Sequence, residues 1–186
     1  MRKLSHAVKV FVVTGILVLG SLAPGVPRAS AGTAVDQNAS TIESQVRHKL
    51  AMLTWYGVFD HLQYEVNGTE VILSGQLVSE HDQTRNEAAN AVKNIPGVTN
   101  VVNNIEVLPL SNFDNQIRRA EYRTIFSNSD LGRYSTGAIP QLHIIVSGGH
   151  VTLEGTVMNK MDHDVAGIVA NSVPNVFSVT NNLKIG

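Results

Sequence analysis

The residues best able to do chemistry in this 186-residue chain are its histidines and acids, since it has no cysteine. Six of the seven histidines follow residue 31, and the densest group is Asp162-His163-Asp164. Consecutive helix residues point about 100° apart, so these three side chains cannot all face one metal ion. No His-x3-His pair, phosphate loop, dinucleotide fingerprint or Gly-x-Ser-x-Gly motif is present. We therefore predict a protein that is not an enzyme and uses no metal or cofactor; an unrecognised hydrolase is the least favoured alternative.

The first 31 residues differ in character from the rest of the chain. Arg2, Lys3 and Lys9 precede or border the apolar stretch 10–20, and Ala29-Ser30-Ala31 follows two prolines. A basic end, an apolar core of about 7–15 residues and a small-residue cleavage site are the parts of a secretory signal peptide. The prolines disfavour the alternative, an uncleaved anchor helix. We expect export and cleavage after Ala31.

The charge of the remaining chain narrows the choice of partners. Residues 1–31 hold four of the 14 Lys and Arg residues and none of the 15 Asp and Glu residues, which leaves 10 basic against 15 acidic residues, a net charge of −5. This balance lacks the electrostatic footprint of nucleic-acid binding. It also disfavours bulk attraction to anionic lipid, so any membrane contact must be local.

An internal repeat organises the rest of the sequence. The segment 71–78 (VILSGQLV) aligns with 151–158 (VTLEGTVM), and 95–98 (IPGV) aligns with 173–176 (VPNV). The extra residues of the second copy fall in the polar stretch 127–140. Drifting offsets of this kind indicate loop insertions between the elements of a duplicated unit. We place the two copies at residues 40–109 and 112–186.

Each copy reads as helix, strand, strand, helix, strand, with a tight hairpin such as Asn67-Gly68 between the first two strands. The predicted fold is therefore α+β, a tandem of two small α-β-β-α-β units, each a three-stranded sheet with two helices on one face. The second and third strands must run parallel if they share the sheet, while the strand order stays open. The predicted inner faces of the first helices are Ile42, Val46, Leu50 and Leu53 in the first copy and Phe113, Ile117, Ala120 and Thr124 in the second.

Capping residues give an independent estimate of the helix starts. At each of four places a Ser or Asn stands three residues before an acid. The side-chain oxygen of the Ser or Asn can cap a free backbone N–H, and the acid interacts favourably with the positive end of the helix dipole. The pairs are Ser40 with Glu43, Ser79 with Asp82, Ser111 with Asp114, and Asn159 with Asp162.

Six residues at matching places in the two copies are predicted to shape the backbone. Asn103 and Asn181 alternate with apolar residues of the last strand, so we expect buried amides bonded to nearby backbone, with ligand contact as the alternative. Gly97 and Asn175 suit the left-handed end of the second helix. The remaining two are the strand glycines, Gly75 and Gly155.

The glycine-bearing hairpin strand, the Ala-rich helix, the Pro-Gly-Val turn and the closing Val-x-Asn-x-Ile-x-Val strand resemble the BON domain. A signal peptide followed by two copies is similar to the two-BON-domain periplasmic proteins of the osmotically inducible type. The second copy departs from the pattern at Asn175, where the turn glycine is replaced. The resemblance implies a non-enzymatic periplasmic module associated with phospholipid surfaces and with osmotic or envelope stress.

Aromatic residues at loop ends are the candidates for such contacts, because Trp and Tyr suit a boundary between water and apolar groups. The first candidates are Trp55 and Tyr56, the alternative being a ring folded over the core. The second are Phe126, Arg133 and Tyr134 around the insertion, the alternative being a loop that only spans the connection. The expected partner is a phospholipid membrane surface or an envelope protein, with no nucleic acid and no evident small-molecule substrate. The alternative function is a protein-interaction or chaperone-like module that does not bind lipid.

Overall fold

The computed structural model describes residues 32–137 and 139–186. Residues 31–186 form one compact unit. The predicted signal peptide lies outside the described residues. Within the described ranges, no helix is long and apolar enough to cross a membrane.

The described chain is a tandem of two α-β-β-α-β repeats, which confirms the predicted fold class. A short 3-10 turn, Ser79–His81, precedes the second helix of the first repeat, and another, Gly132–Ser135, lies in the insertion of the second. The first repeat contains α1 (Gly32–Ala51), β1 (His61–Asn67), β2 (Glu70–Leu77), α2 (Asp82–Lys93), β3 (Asn100–Asn103) and β4 (Glu106–Val107). The second contains α3 (Asn112–Phe126), β5 (Leu142–Ser147), β6 (His150–Val157), α4 (Lys160–Asn171), β7 (Ser178–Asn181) and β8 (Lys184–Ile185).

The central strand of each sheet is the second strand of its hairpin. In the first repeat β1 pairs antiparallel with β2, while β3 and β4 both pair parallel with the other side of β2. The pairs Leu73 with Asn103 and Gln76 with Glu106 keep one register, so β3 and β4 are one strand with a short break. The second repeat has the same arrangement around β6. The predicted parallel crossover is therefore confirmed.

The core of the first repeat lies between its sheet and both of its helices. Val71, Leu73 and Leu77 point from β2 toward the helices and are fully buried. The predicted α1 face packs on them through Ile42, Val46 and Leu50, with Leu53 partly buried at its end, and α2 adds Ala88 and Val92. The period of the apolar residues thus located this core correctly.

The inner face of α3 differs from the prediction. Ile117 is buried as expected, but Phe113 is 40% exposed and Thr124 is also exposed. The helix is rotated so that Asp114, Arg118 and Glu121 point inward instead, together with Ile117 and Ile125. Asp114 and Arg118 on this inner face bond to backbone groups of the β5–β6 hairpin, which the period of apolar residues does not predict.

Two of the four predicted helix caps are present as side-chain bonds. The Asp114 amide donates to Ser111 Oγ at 3.1 Å, and the Asp162 amide donates to Asn159 Oδ1 at 2.9 Å. The prediction for Ser40 is wrong, because α1 begins at Gly32 and Ser40 lies inside the helix. Helix α2 begins at Asp82, after the 3-10 turn that starts at Ser79.

At each strand glycine, a backbone carbonyl from the other side of the hairpin lies where a side chain would begin. Gly75 has φ 112°, and a Cβ there would lie 2.0 Å from the carbonyl oxygen of His61. Gly155 has φ 117°, and its Cβ would lie 2.1 Å from the carbonyl oxygen of Gln141. Both the conformation and the contact exclude a side chain, so each glycine is required by its hairpin.

The two asparagines explain the break in the third strand. Asn103 Nδ2 donates to the Arg85 carbonyl of α2 at 3.0 Å, and Asn103 Oδ1 accepts from the Ile105 amide at 3.3 Å. Asn181 bonds to the His163 carbonyl and the Leu183 amide in the same way, at 2.8 and 3.3 Å. Each amide therefore ties the strand to the second helix. Gly97 and Asn175 both have positive φ, 94° and 71°, at the matching turns.

A loop of the first repeat joins it to the second. The Val58 carbonyl accepts the Ile144 amide of the edge strand β5 at 2.8 Å, and His143 Nδ1 lies 3.2 Å from the Gly57 carbonyl. Val58 and Phe59 also pack against the core of the second repeat. The loop 57–60 thus covers the edge of β5 and completes the second core.

Candidate binding surface

The first pair of predicted binding residues is divided by the structure. Trp55 is 58% exposed, with its ring centroid 6.1 Å from that of His81. Tyr56 instead points into the junction of the repeats, where its hydroxyl accepts the Leu62 amide at 3.3 Å and its ring lies 5.4 Å from His143. Burial raises the pKa of Tyr56 to about 12. Only Trp55 of this pair offers its ring to solvent.

The second group of predicted residues is largely tied to the interior. Tyr134 is 1% exposed; its hydroxyl donates to the Asp162 carboxylate and accepts the Met158 amide at 2.9 Å. Arg133 is paired with the same carboxylate at 2.6 Å. Phe126 is half-buried against the core of the second repeat. The structure therefore gives Tyr134 a place in the core, while Arg133 is exposed at the surface with its charge paired to the buried Asp162 carboxylate.

The rotation of α3 creates a different surface, which we call the α3 face. It consists of side chains on the outside of the helix and two phenylalanines that flank it. Tyr122 is 41% exposed and its ring lies 6.2 Å from that of Phe59, while Phe177 is 67% exposed and lies 5.8 Å from Phe113. The members of the α3 face are Phe59, Phe113, Arg119, Tyr122, Arg123 and Phe177.

Phe177, at one end of the α3 face, packs against the β5–β6 hairpin turn. The Asp114 carboxylate accepts the amides of Gly148 and Gly149 at 3.0 and 2.8 Å. The Phe177 amide donates to the Gly149 carbonyl at 2.9 Å. A Cβ at Gly149 would lie 2.7 Å from the Phe177 ring, so the ring rests directly on the turn. Phe177 is therefore exposed but fixed in place, a condition that lowers the entropy cost of binding.

The two arginines of the α3 face have unpaired charges. Among the described residues, neither Arg119 nor Arg123 forms an ion pair, and Arg123 Nε donates only to the Arg119 carbonyl at 3.1 Å. They border a groove of about 340 Å³ toward Phe113 and another of about 270 Å³ toward Phe59 and Tyr122. Unpaired guanidinium groups beside exposed rings can bind an anionic, partly apolar surface.

The first repeat has no such surface at the equivalent helix. The repeat offset of 71 residues places His48 and Ala51 of α1, and Met52 directly after it, at the positions equivalent to Arg119, Tyr122 and Arg123. Thr99 stands at the position equivalent to Phe177. The two repeats share a fold, but only the second carries the aromatic and cationic residues. Tyr122 and Arg123 follow Arg119 by three and four residues, and this spacing is the sequence pattern that indicates a shared helix face.

The histidines are not grouped as a metal site. His61 and His143 face each other across the junction of the repeats with ring centroids 5.4 Å apart. Burial lowers the pKa of His143 to about 4, with the neighbouring His61 adding to the shift. Burial also lowers the pKa of His61. In the described ranges no group of three or more His, Asp or Glu side chains could hold a metal ion.

Comparisons with known proteins agree with the repeat organisation. The family model of the BON domain matches residues 38–109 and 129–186. Two solved structures of CdsD, a structural protein of the type III secretion system of Chlamydia trachomatis, are each 11% identical to the chain. One, a C-terminal domain, aligns over 77% of this chain and 96% of its own, with a TM-score of 0.25. The other aligns over 78% and 92%, with a TM-score of 0.27. No curated protein matches the chain.

Proposed function

Since the chain belongs to the BON domain family, we propose that it is a non-enzymatic, exported binding module that docks on anionic phospholipid at the cell envelope through the α3 face. The observation that carries this proposal is the pair of unpaired arginines, Arg119 and Arg123, set between exposed aromatic rings on one helix. Periplasmic location and a link to osmotic or envelope stress are parts of the proposal that rest on the family resemblance.

The α3 face has the two kinds of group that a membrane surface binds. Phe113, Tyr122 and Phe177 supply exposed aromatic area, which is favoured where lipid headgroups meet the acyl region. Arg119 and Arg123 supply positive charge, and each basic residue near an anionic leaflet contributes about 1 kcal/mol. A local patch of this kind can act despite the net charge of −5 expected for residues 32–186. Its attraction should weaken as salt is added.

The test is co-sedimentation of residues 32–186 with vesicles of two compositions. One is phosphatidylcholine alone, and the other is phosphatidylcholine with an equal amount of phosphatidylglycerol. We expect salt-sensitive binding to the anionic vesicles that is lost in Arg119→Gln/Arg123→Gln. The matched control is Arg47→Gln/Arg85→Gln, which removes the same charge from exposed positions on the helices of the first repeat.

Two results would overturn the proposal. One is that the protein sediments equally with both vesicle compositions, or that it sediments with neither of them. The other is an equal loss of binding in Arg119→Gln/Arg123→Gln and in Arg47→Gln/Arg85→Gln. Net charge, and not the α3 face, would then determine vesicle binding. Failure with vesicles, together with capture of a defined envelope protein, would favour the protein-interaction module instead.

A further inference from the structure

A cleft of about 330 Å³ lies between the two repeats, next to the α3 face. The 3-10 turn Ser79–His81 of the first repeat forms one wall through Glu80 and His81, and the first turns of α3 form the other. Asn115, Arg118 and Arg119 line the α3 side, and Phe59 closes one end. Arg119 thus belongs both to this cleft and to the α3 face.

The most unusual residue that lines the cleft is Arg118. The residue is only 3% exposed, yet in the described part of the chain it forms no ion pair. Its two terminal nitrogens donate to neutral oxygens, Asn115 Oδ1 at 2.5 Å and the Val146 carbonyl at 2.6 Å. Its Nε is buried and has no hydrogen-bond partner. Burying a cation without a counter-charge is costly, and burial lowers the pKa of Arg118.

The nearest acids are engaged elsewhere. Asp60 is fully buried and binds His81 Nδ1 at 2.7 Å as well as the amides of Gly57 and Val78. Asp114 holds the hairpin amides of the second repeat. Glu80 lines the cleft itself and accepts Asn115 Nδ2 at 3.1 Å. These acids offset part of the charge of Arg118 at a distance, but none takes its guanidinium in a direct pair.

We propose that the cleft is a phosphate-binding site, in which Arg118 and Arg119 supply the positive charge and Asn115 orients Arg118. The guanidinium fork matches the oxygens of a phosphate ester, and charge-assisted bonds of this kind are short and strong. This inference rests on the proposed function in one respect: the phosphodiester of a lipid headgroup is one source of the ligand, and a free phosphate ester is the other. Helix α3 would then contact the headgroup through Arg118 and Arg119 and the membrane surface through the exposed residues of the α3 face.

The first test is a titration of residues 32–186 with inorganic phosphate at constant ionic strength, in which binding is monitored by nitrogen-15 NMR. We expect saturable shifts of the Arg118 Nε–H and the Asn115 side-chain amide. Arg118→Lys keeps the charge but loses the planar fork, and it should weaken binding roughly fivefold or more. Arg47→Gln, at the equivalent exposed position of α1, should bind phosphate as the unchanged protein does. Should Arg118→Lys unfold, Asn115→Ala tests the same prediction at a half-buried position.

Linear shifts without saturation would overturn the phosphate site, as would an equal effect of Arg47→Gln. The same variants in vesicle sedimentation separate the two proposals. Saturable phosphate binding without vesicle binding would support the cleft, identify a free phosphate ester as its ligand and refute membrane docking. Vesicle binding that needs Arg119 and Arg123 but is unchanged in Arg118→Lys, together with linear phosphate shifts, would refute the cleft and leave membrane docking supported.

Discussion

Arg118 and Glu121 lie three residues apart on the buried side of α3, yet no hydrogen bond or ion pair joins them. Both carboxyl oxygens of Glu121 are buried without a hydrogen-bond partner among the described residues, and the residue is 0% exposed. Burial raises the pKa of Glu121 to about 8. The inner side of the helix that carries the α3 face therefore contains an acid that is protonated in the folded protein at neutral pH.

This acid should make the protein less stable as the pH rises. The unfolded chain releases the Glu121 proton near pH 4.5, whereas the folded chain keeps it to about pH 8. The unfolding free energy should thus fall between these values by up to about 1.4 kcal/mol per pH unit relative to Glu121→Gln. Urea denaturation of both proteins at several pH values measures this difference. Parallel pH profiles would show that Glu121 titrates normally in the folded state.

His143, at the junction of the repeats, should make the protein less stable at acidic pH. The pKa of His143 is lowered to about 4, so the folded protein keeps its ring neutral while the unfolded chain takes up a proton near pH 6.5. Stability contributed by this neutral ring is present above pH 6.5 and is lost as the pH falls toward 4. NMR of the imidazole resonances should show His143 still neutral at pH 5. A midpoint near 6.5 for His143 would contradict the buried junction.

Alanine substitutions of glycines with positive φ should show how much of the loss in unfolding free energy comes from a close contact and how much from backbone strain. Gly75→Ala places a Cβ against the His61 carbonyl, and we expect a loss of about 3 kcal/mol or more in the unfolding free energy. Gly68→Ala is the control, because Gly68 also has positive φ but no atom lies within 4 Å of the added Cβ. It should cost about 1 kcal/mol. Thermal melts of both variants measure the difference, and equal costs would refute the contact argument.

The aromatic part of the α3 face should matter for vesicles but little for folding. Phe177 is 67% exposed, so Phe177→Ser should leave the melting temperature nearly unchanged and reduce sedimentation with anionic vesicles. Ile168→Ser is the matched control, because Ile168 on α4 is 70% exposed and lies outside the α3 face. A similar loss of binding in both variants would show that exposed apolar area in general, and not this face, determines binding.

Local patterns predicted those parts of the fold that depend on neighbouring residues. The apolar steps through Ile42, Val46 and Leu50 located the first core, and the aligned glycines Gly75 and Gly155 marked the two hairpins. The parallel pairing of the second and third strands followed from the helix that connects them. Each of these features depends on residues close in sequence or on a general rule of chain geometry.

The candidate site depended on partners distant in sequence, which the pattern of apolar residues does not show. The helical period predicts Phe113 in the core, but Asp114 takes the inward position to bind Gly148 and Gly149. The polar insertion predicts a surface position for Tyr134, but its hydroxyl donates to the buried carboxylate of Asp162. In both cases an acid at a helix start binds groups about 30 residues away and so decides which aromatic ring is buried.

The loop 57–60 has a consequence for the order in which the chain can fold. An uncovered edge strand is a template for pairing with other chains, and the edge of β5 is covered by Val58 from a segment that precedes it by 86 residues. During synthesis from the N-terminal end, this loop emerges before the strand that it covers. A chain that carried only the second repeat would lack the cover and expose a hydrophobic edge. The duplication has thus produced two units that are alike in sequence pattern but not interchangeable, because the edge of β5 in the second repeat is covered by the loop 57–60 of the first.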